Sequence, residues 1–170
     1  MSILMPAVEV FADDGIFPNS RLPVLIYRAA IDPDMARPEA FEALFGGNGW
    51  PPQWRASVFT YHHYHSTAHE CLGIATGAAT LMLGGPAGSE FRATAGDVIV
   101  IPAGVAHQRL TASADFLVVG AYPQGHGQWD IRRGNPGDRP KADANIASVP
   151  VPPSDPVRGA GGALTQLWRA

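Results

Sequence analysis

Tyr61–Gly77 reads YHHYHSTAHECLGIATG and holds four of the six histidines in the chain. Side chains alternate along an extended strand, so His63 and His65 face one side and His62 and Tyr64 the other. Two imidazoles aimed at one point begin a metal site, because imidazole suits Zn, Fe, Ni and Cu. A third donor is needed, and Glu70 follows after four residues, close enough to return on the next strand. Further along, GDVIVIPAGVAH reads as a buried strand that closes with Pro102-Ala103-Gly104 and ends in His107. Three imidazoles and a carboxylate would enclose one cation and leave positions open for water or substrate. The competing reading is a polar strand face or surface patch of histidines with no ion.

The spacing has a recognisable form. His63-x-His65, four residues, Glu70, six residues, Gly77 resembles the first motif of the cupin superfamily. Gly96, five residues, Pro102-x-Gly104, two residues, His107 resembles the second. Eighteen residues separate Gly77 from Gly96, a short interval of the kind small microbial cupins have. The resemblance spans Trp54 to Pro123, and HHYHSTAHE is similar to a bacterial subgroup of single-domain cupins with no assigned activity. There are two departures: Ser57 stands where the first motif usually opens on glycine, and Thr111 where the second often closes on asparagine. The resemblance implies an all-β double-stranded β-helix, or jelly-roll barrel. It also implies the ligands His63, His65, Glu70 and His107 around one divalent transition metal: Fe, Mn, Ni or Zn.

The surrounding chain agrees with that class. Its 170 residues suit a single domain over 1–170. We divide it into an N-terminal strand and helix extension (1–53), a motif-bearing barrel (54–123) and a wrapping tail (124–170). Gly and Pro are frequent and dispersed, as many short strands joined by turns require. PVLIYRAA (Pro23–Ala30) reads as a strand. RPEAFEALFGG reads as a helix, with Pro38 in its first turn, a stripe of Phe41, Leu44 and Phe45, and a glycine stop. ASVFTYHHYH, ATLMLGG, GDVIVIPAG and DFLVVGAYP read as further strands, and GGPAG as a hairpin turn. The tail reads as an extended wrap whose ALTQLW anchors its end.

Other residues fall into place around the proposed ligands. His62 should point away from His63, to pack or to make an outer hydrogen bond, with His69 beside it in the set of outer or alternative ligands. His69 is the alternative ligand or an outer hydrogen-bond partner, since only one of His69 and Glu70 can point inward. His126 lies in the tail and is solvated. Counting back by twos from His63 gives Tyr61 and Phe59, as aromatic pocket walls or as filling of the barrel core. Counting forward by two from His107 gives Arg109, which offers a guanidinium fork to a substrate carboxylate on a continuing strand, or meets a surface Asp or Glu if the strand bends after His107.

Several functions are excluded or disfavoured. A net charge of −3 with one lysine, Lys141, offers no surplus for nucleic acid. No apolar run approaches the ~20 residues a membrane span needs. The N-terminus lacks the form of a signal peptide, and Cys71 alone makes no intramolecular disulfide, so a cytoplasmic location is expected. Cys71 should face away from the histidines, and no Gly-x-Ser-x-Gly elbow is present. The expected function is a dioxygenase-type oxidoreductase acting on a small organic molecule, an acidic one on the clamp reading of Arg109. The alternatives are a metal-dependent isomerase or decarboxylase, and a non-catalytic ligand binder. A homodimer is expected, because an apolar strand such as PVLIYRAA invites pairing at an open edge.

Overall fold

Residues 5–169 are described by a computed structural model, and residues 1–4 and 170 lie outside that description. Nine strands are described: β1 (Ala7–Phe11), β2 (Ser20–Tyr27), β3 (Pro52–Ala56), β4 (Glu70–Thr76), β5 (Ala78–Leu83), β6 (Ser89–Thr94), β7 (Val98–Ile101), β8 (His107–Ala112) and β9 (Leu117–Ala121). They form a larger sheet in the order β1-β2-β7-β4-β9-β3 and a smaller one in the order β6-β5-β8. Every pairing is antiparallel. This is the jelly-roll architecture expected of an all-β chain whose two sheets share one core.

The central strands of the larger sheet, β2, β7, β4 and β9, are buried on both faces, and side-chain alternation decides what each face meets. Val24, Ile26, Leu72, Ile74, Ile99, Ile101 and Val118 point into the core shared with Leu81 and Leu83 of β5. Their neighbours Leu25, Tyr27, Cys71, Ala75, Val98, Val100, Val119 and Ala121 form a second core on the opposite face. That outer core is covered by helix α1 (Pro38–Gly47), through Phe41 and Phe45, and by the end of the chain, through Val157, Leu164 and Trp168. Gly73 permits the close seating of α1, since a Cβ there would stand 2.5 Å from the Phe41 ring. Pro38 opens α1 as its sequence suggests, and the β5–β6 hairpin turns at Gly84–Gly88.

Four expectations need correction. First, β2, the core of PVLIYRAA, lies inside the larger sheet between β1 and β7, so it is part of the barrel rather than an extension to it, and it is not free at an edge. Its run is apolar on both faces because it has a core on each side. Second, ASVFTYHHYH is not one strand. β3 ends at Ala56, and the chain then crosses from the larger sheet, where β3 pairs with β9, to the smaller, where His63 bridges to His107 of β8. Third, DFLVVGAYP contributes only Leu117–Ala121 as strand. Fourth, the tail is partly helical. It contains a 3-10 turn at Pro136–Asp138, α2 (Lys141–Ser148) and α3 (Leu164–Leu167). Ala142 and Ile146 of α2 pack on Phe17, Tyr64 and Ala106, which gives that segment an apolar stripe to bury. ALTQLW does seat the end of the chain, with Leu164 and Trp168 fully buried. Among the described residues no helix is long and apolar enough to cross a membrane.

Candidate metal centre

The two histidine-bearing segments are zipped together by their backbones. His63 N–H donates to the His107 carbonyl at 3.1 Å and His107 N–H returns to that of His63 at 2.9 Å. Gly104 N–H donates to the His65 carbonyl at 2.8 Å. These bonds bring the His63, His65 and His107 rings to one point, where a donor atom from each lies within 4.8 Å of the other two. All three are buried. Glu70 opens β4 in the same phase as Leu72 and Ile74, so its carboxylate enters the shared core. Its Oε2 lies 3.1 Å from His65 Nε2 and its Oε1 3.1 Å from His107 Nε2. Glu70 thus reaches two of the three imidazoles.

The hydrogen bonds on the far side of each ring decide what the near side can do. Nδ1 of His63 contacts the Tyr61 carbonyl at 3.1 Å, and Nδ1 of His107 that of Val105 at 3.0 Å. Nδ1 of His65 contacts the Asp130 carbonyl. A carbonyl only accepts, so each Nδ1 carries the proton and each Nε2 is left to present a lone pair. Two of those lone pairs face the oxygens of Glu70, and acceptor facing acceptor at 3.1 Å requires a cation between them, either a proton or a metal. Burial would raise the Glu70 carboxyl, but the His65 and His107 imidazoles beside it hold it well below the ordinary carboxylate range. Burial likewise opposes charge on His65, yet Glu70 more than compensates and raises it. His63 is pushed down to about 3, chiefly by burial and then by His107, so it stays neutral with its lone pair available.

A cavity of about 260 Å³ opens onto these four residues. Its walls include Trp54, Val58, Phe59, Leu72, Tyr122 and Trp129. Tyr122 follows β9 and donates its hydroxyl to Glu70 Oε2 at 2.6 Å, while accepting from Trp54 Nε1 at 2.9 Å. Gly120 makes room for this arrangement, since a Cβ there would stand 2.1 Å from the Trp54 ring. Trp129 stacks on Tyr122 at 5.9 Å and stands edge-on to His65 at 5.2 Å. Asp130, whose carbonyl orients His65, is tied down by Ser66 and by Arg132 Nε at 2.9 Å.

The remaining residues singled out from sequence divide clearly. Phe59 lines the cavity at its mouth, with 44% of its surface exposed. Tyr61 does not line it; its ring stacks on Phe59 at 5.0 Å and carries the Arg133 guanidinium 3.7 Å above it. Arg109 is not among the residues lining the cavity, where a carboxylate clamp would need it. Its Nη1 donates to Ser57 Oγ at 2.7 Å. His62 packs on Phe17 at 5.6 Å, as its phase suggests. His69 points to the outer core, beside Trp168 at 4.7 Å, and its Nδ1 accepts from Ala103 N–H at 2.9 Å. The phase of β4 therefore selects Glu70 over His69. Burial pushes His69 down to about 4. Cys71 is buried on the outer face and His126 is exposed. Sequence reasoning missed Tyr122, Trp54, Trp129 and Asp130. Tyr122 had a legible signal, lying two positions beyond Gly120 and four beyond Val118 on the inward face.

No protein-family model matches the chain. It is 39% identical over 160 residues to the uncharacterized protein YjlB of Bacillus subtilis (strain 168), covering 93% of each. Among solved structures, a DUF861 family protein of Thermotoga maritima is 20% identical over 49% of this chain and 88% of its own, with a TM-score of 0.33. An oxalate decarboxylase variant of Bacillus subtilis is 16% identical over 69% and 29%, with a TM-score of 0.37. Acireductone dioxygenase from Bacillus anthracis, with cadmium in its active centre, is 18% identical over 65% and 54%, with a TM-score of 0.32. At these scores the structural likenesses carry no weight. The fold assignment rests on the two motifs meeting at one buried point between two antiparallel sheets.

Proposed function

This chain belongs to the family of YjlB and has the cupin fold, and on that footing we propose that it is a metal-dependent oxidoreductase of the dioxygenase type. The observation that carries the reading is the shared tautomer. Three buried imidazoles have each committed Nδ1–H to a backbone carbonyl, and their Nε2 atoms converge beside one carboxylate. Burying that set without a cation leaves acceptors opposed, so the donor chemistry fits a divalent transition metal. His63, His65, His107 and Glu70 would hold it. Such a group supplies Lewis acidity and, for Fe or Mn, redox chemistry at its open positions.

The protein's own residues supply the rest. The apolar and aromatic walls exclude water and hold an organic molecule against the histidines. Proton-transfer chemistry such as isomerisation calls for a free acid or base at the substrate. Among the described residues lining the cavity, Glu70 is engaged by His65, His107 and Tyr122, and Tyr122 by Glu70 and Trp54. No uncommitted carboxylate lines the wall, which favours oxidation over isomerisation. The test is elemental analysis of the purified protein, followed by oxygen consumption with a panel of small organic substrates. Stoichiometric metal and substrate-dependent oxygen uptake are expected. Absence of bound metal after reconstitution with each of Fe, Mn, Ni and Zn would overturn the proposal.

A further inference from the structure

The walls of the cavity specify a kind of substrate. Four of them are aromatic: Trp54 and Phe59 from one stretch of the chain, Tyr122 and Trp129 from another. Tyr122 and Trp129 are nearly parallel, with ring planes 17° apart, and they already stack on each other beside His65. Planar faces of this kind reward a planar guest. Size narrows it further. A cavity of about 150 Å³ takes benzene, so about 260 Å³ holds one substituted ring.

Charge narrows it again. No lysine or arginine is among the described residues lining the cavity; Arg109 stands outside that lining, with its Nη1 donating to Ser57 Oγ at 2.7 Å. A divalent cation beside the single carboxylate of Glu70 leaves one unit of positive charge at the floor. That matches one anionic oxygen. A dicarboxylate would press its second charge against Trp54, Leu72 or Val58 with no partner, which is costly in an apolar wall. Ser57 is a neutral hydroxyl in the same wall and suits one small polar substituent.

We infer that the site selects a single aromatic ring bearing one ionisable oxygen, a phenol-like molecule, over small dicarboxylic acids. The inference rests on the metal reading above for its anionic oxygen, and on the four aromatic walls for its ring. The experiment is calorimetric titration of the metal-loaded protein with 4-methylphenol, cyclohexanol and succinate, with metal content measured on the same samples. 4-Methylphenol is expected to bind at least tenfold more tightly than either of the others. Trp129→Leu is expected to weaken 4-methylphenol about fivefold, the worth of one aromatic pairing, and to leave cyclohexanol unchanged. Succinate or cyclohexanol binding as tightly as 4-methylphenol in the wild-type protein overturns the inference and needs no variant to show it. Equal loss of both cyclic probes in Trp129→Leu overturns the role of the ring. A protein that retains no metal overturns the proposed oxidoreductase instead, so the two failures are read separately.

Discussion

Tyr122→Phe isolates one hydroxyl at the base of the metal site. Phe keeps the ring, its burial and its stack on Trp129. What is lost is the donor to Glu70 Oε2 at 2.6 Å and the acceptor for Trp54 Nε1 at 2.9 Å. A hydrogen bond to a charged partner is worth about 1.5–3 kcal/mol, and a buried donor left unpaired costs about 1–3 kcal/mol. The two overlap in one relaxed site, so a loss of roughly 2–4 kcal/mol of stability in the metal-free protein is expected. That is a large share of the ~5–15 kcal/mol a domain has. Metal binding should suffer as well, because the carboxylate loses the bond that fixes its rotamer. Loss of such an orienting partner typically weakens a site by about 10–100-fold. Denaturant unfolding of the apo protein gives the first number, and competition against a calibrated chelator gives the second. Stability within 0.5 kcal/mol of wild type, together with an affinity within a factor of two, would refute the assignment of Tyr122 as the anchor of Glu70.

The other expectations follow from the same geometry. The double substitution His63→Ala, His107→Ala should abolish metal retention by elemental analysis, and a double variant that keeps metal at the wild-type ratio would remove the site. Gly120→Ala drives a Cβ into the Trp54 ring, and the overpacking should cost about 1–3 kcal/mol in chemical denaturation; an unchanged midpoint would show that Trp54 has room to move. Trp168→Ala empties a fully buried site and frees the Pro23 carbonyl from the indole N–H bond at 2.8 Å. It should cost about 3–5 kcal/mol with metal content per folded chain unchanged, and a loss under 1 kcal/mol would mean the chain end is not part of the core. Since β2 is interior, a homodimer would use the exposed Val8 and Val10 of the edge strand β1; a monomeric mass by light scattering at micromolar concentration would dismiss it.

What was legible in the sequence was whatever depends on local spacing. The alternation of β4 is local, so Glu70, Cys71 and Leu72 went to the faces their phase dictates. The stripe of α1 is local, and so were both halves of the ligand set. What could not be read was pairing across long stretches of chain. Nothing in ASVFTYHHYH announces that the strand leaves one sheet at Ala56 and joins the other at His63, because the apolar pattern continues while the partner changes. Arg109 kept its expected phase, opposite Leu81 as His107 is opposite Leu83, but its guanidinium donates to Ser57, at the position where the motif usually has glycine, a contact between residues 52 apart that local spacing does not announce.

The third imidazole shows the same limit most sharply. His65 lies in the first motif, yet the carbonyl that sets its tautomer belongs to Asp130, 65 residues later in a segment with no periodicity. Asp130 is itself held by Ser66 and Thr67, the two residues after His65, and by Arg132, whose backbone bridges to Tyr64. The segment that looked like a passive wrap is thus clamped on both sides of the ligand it orients, and it brings Trp129 to the cavity wall with it. The stretch from Trp54 to Pro123 therefore contains every proposed ligand but not the finished site. Without Asp130, His65 is free to flip its proton to Nε2, where it would hydrogen-bond Glu70 at 3.1 Å and close the coordination point rather than open it.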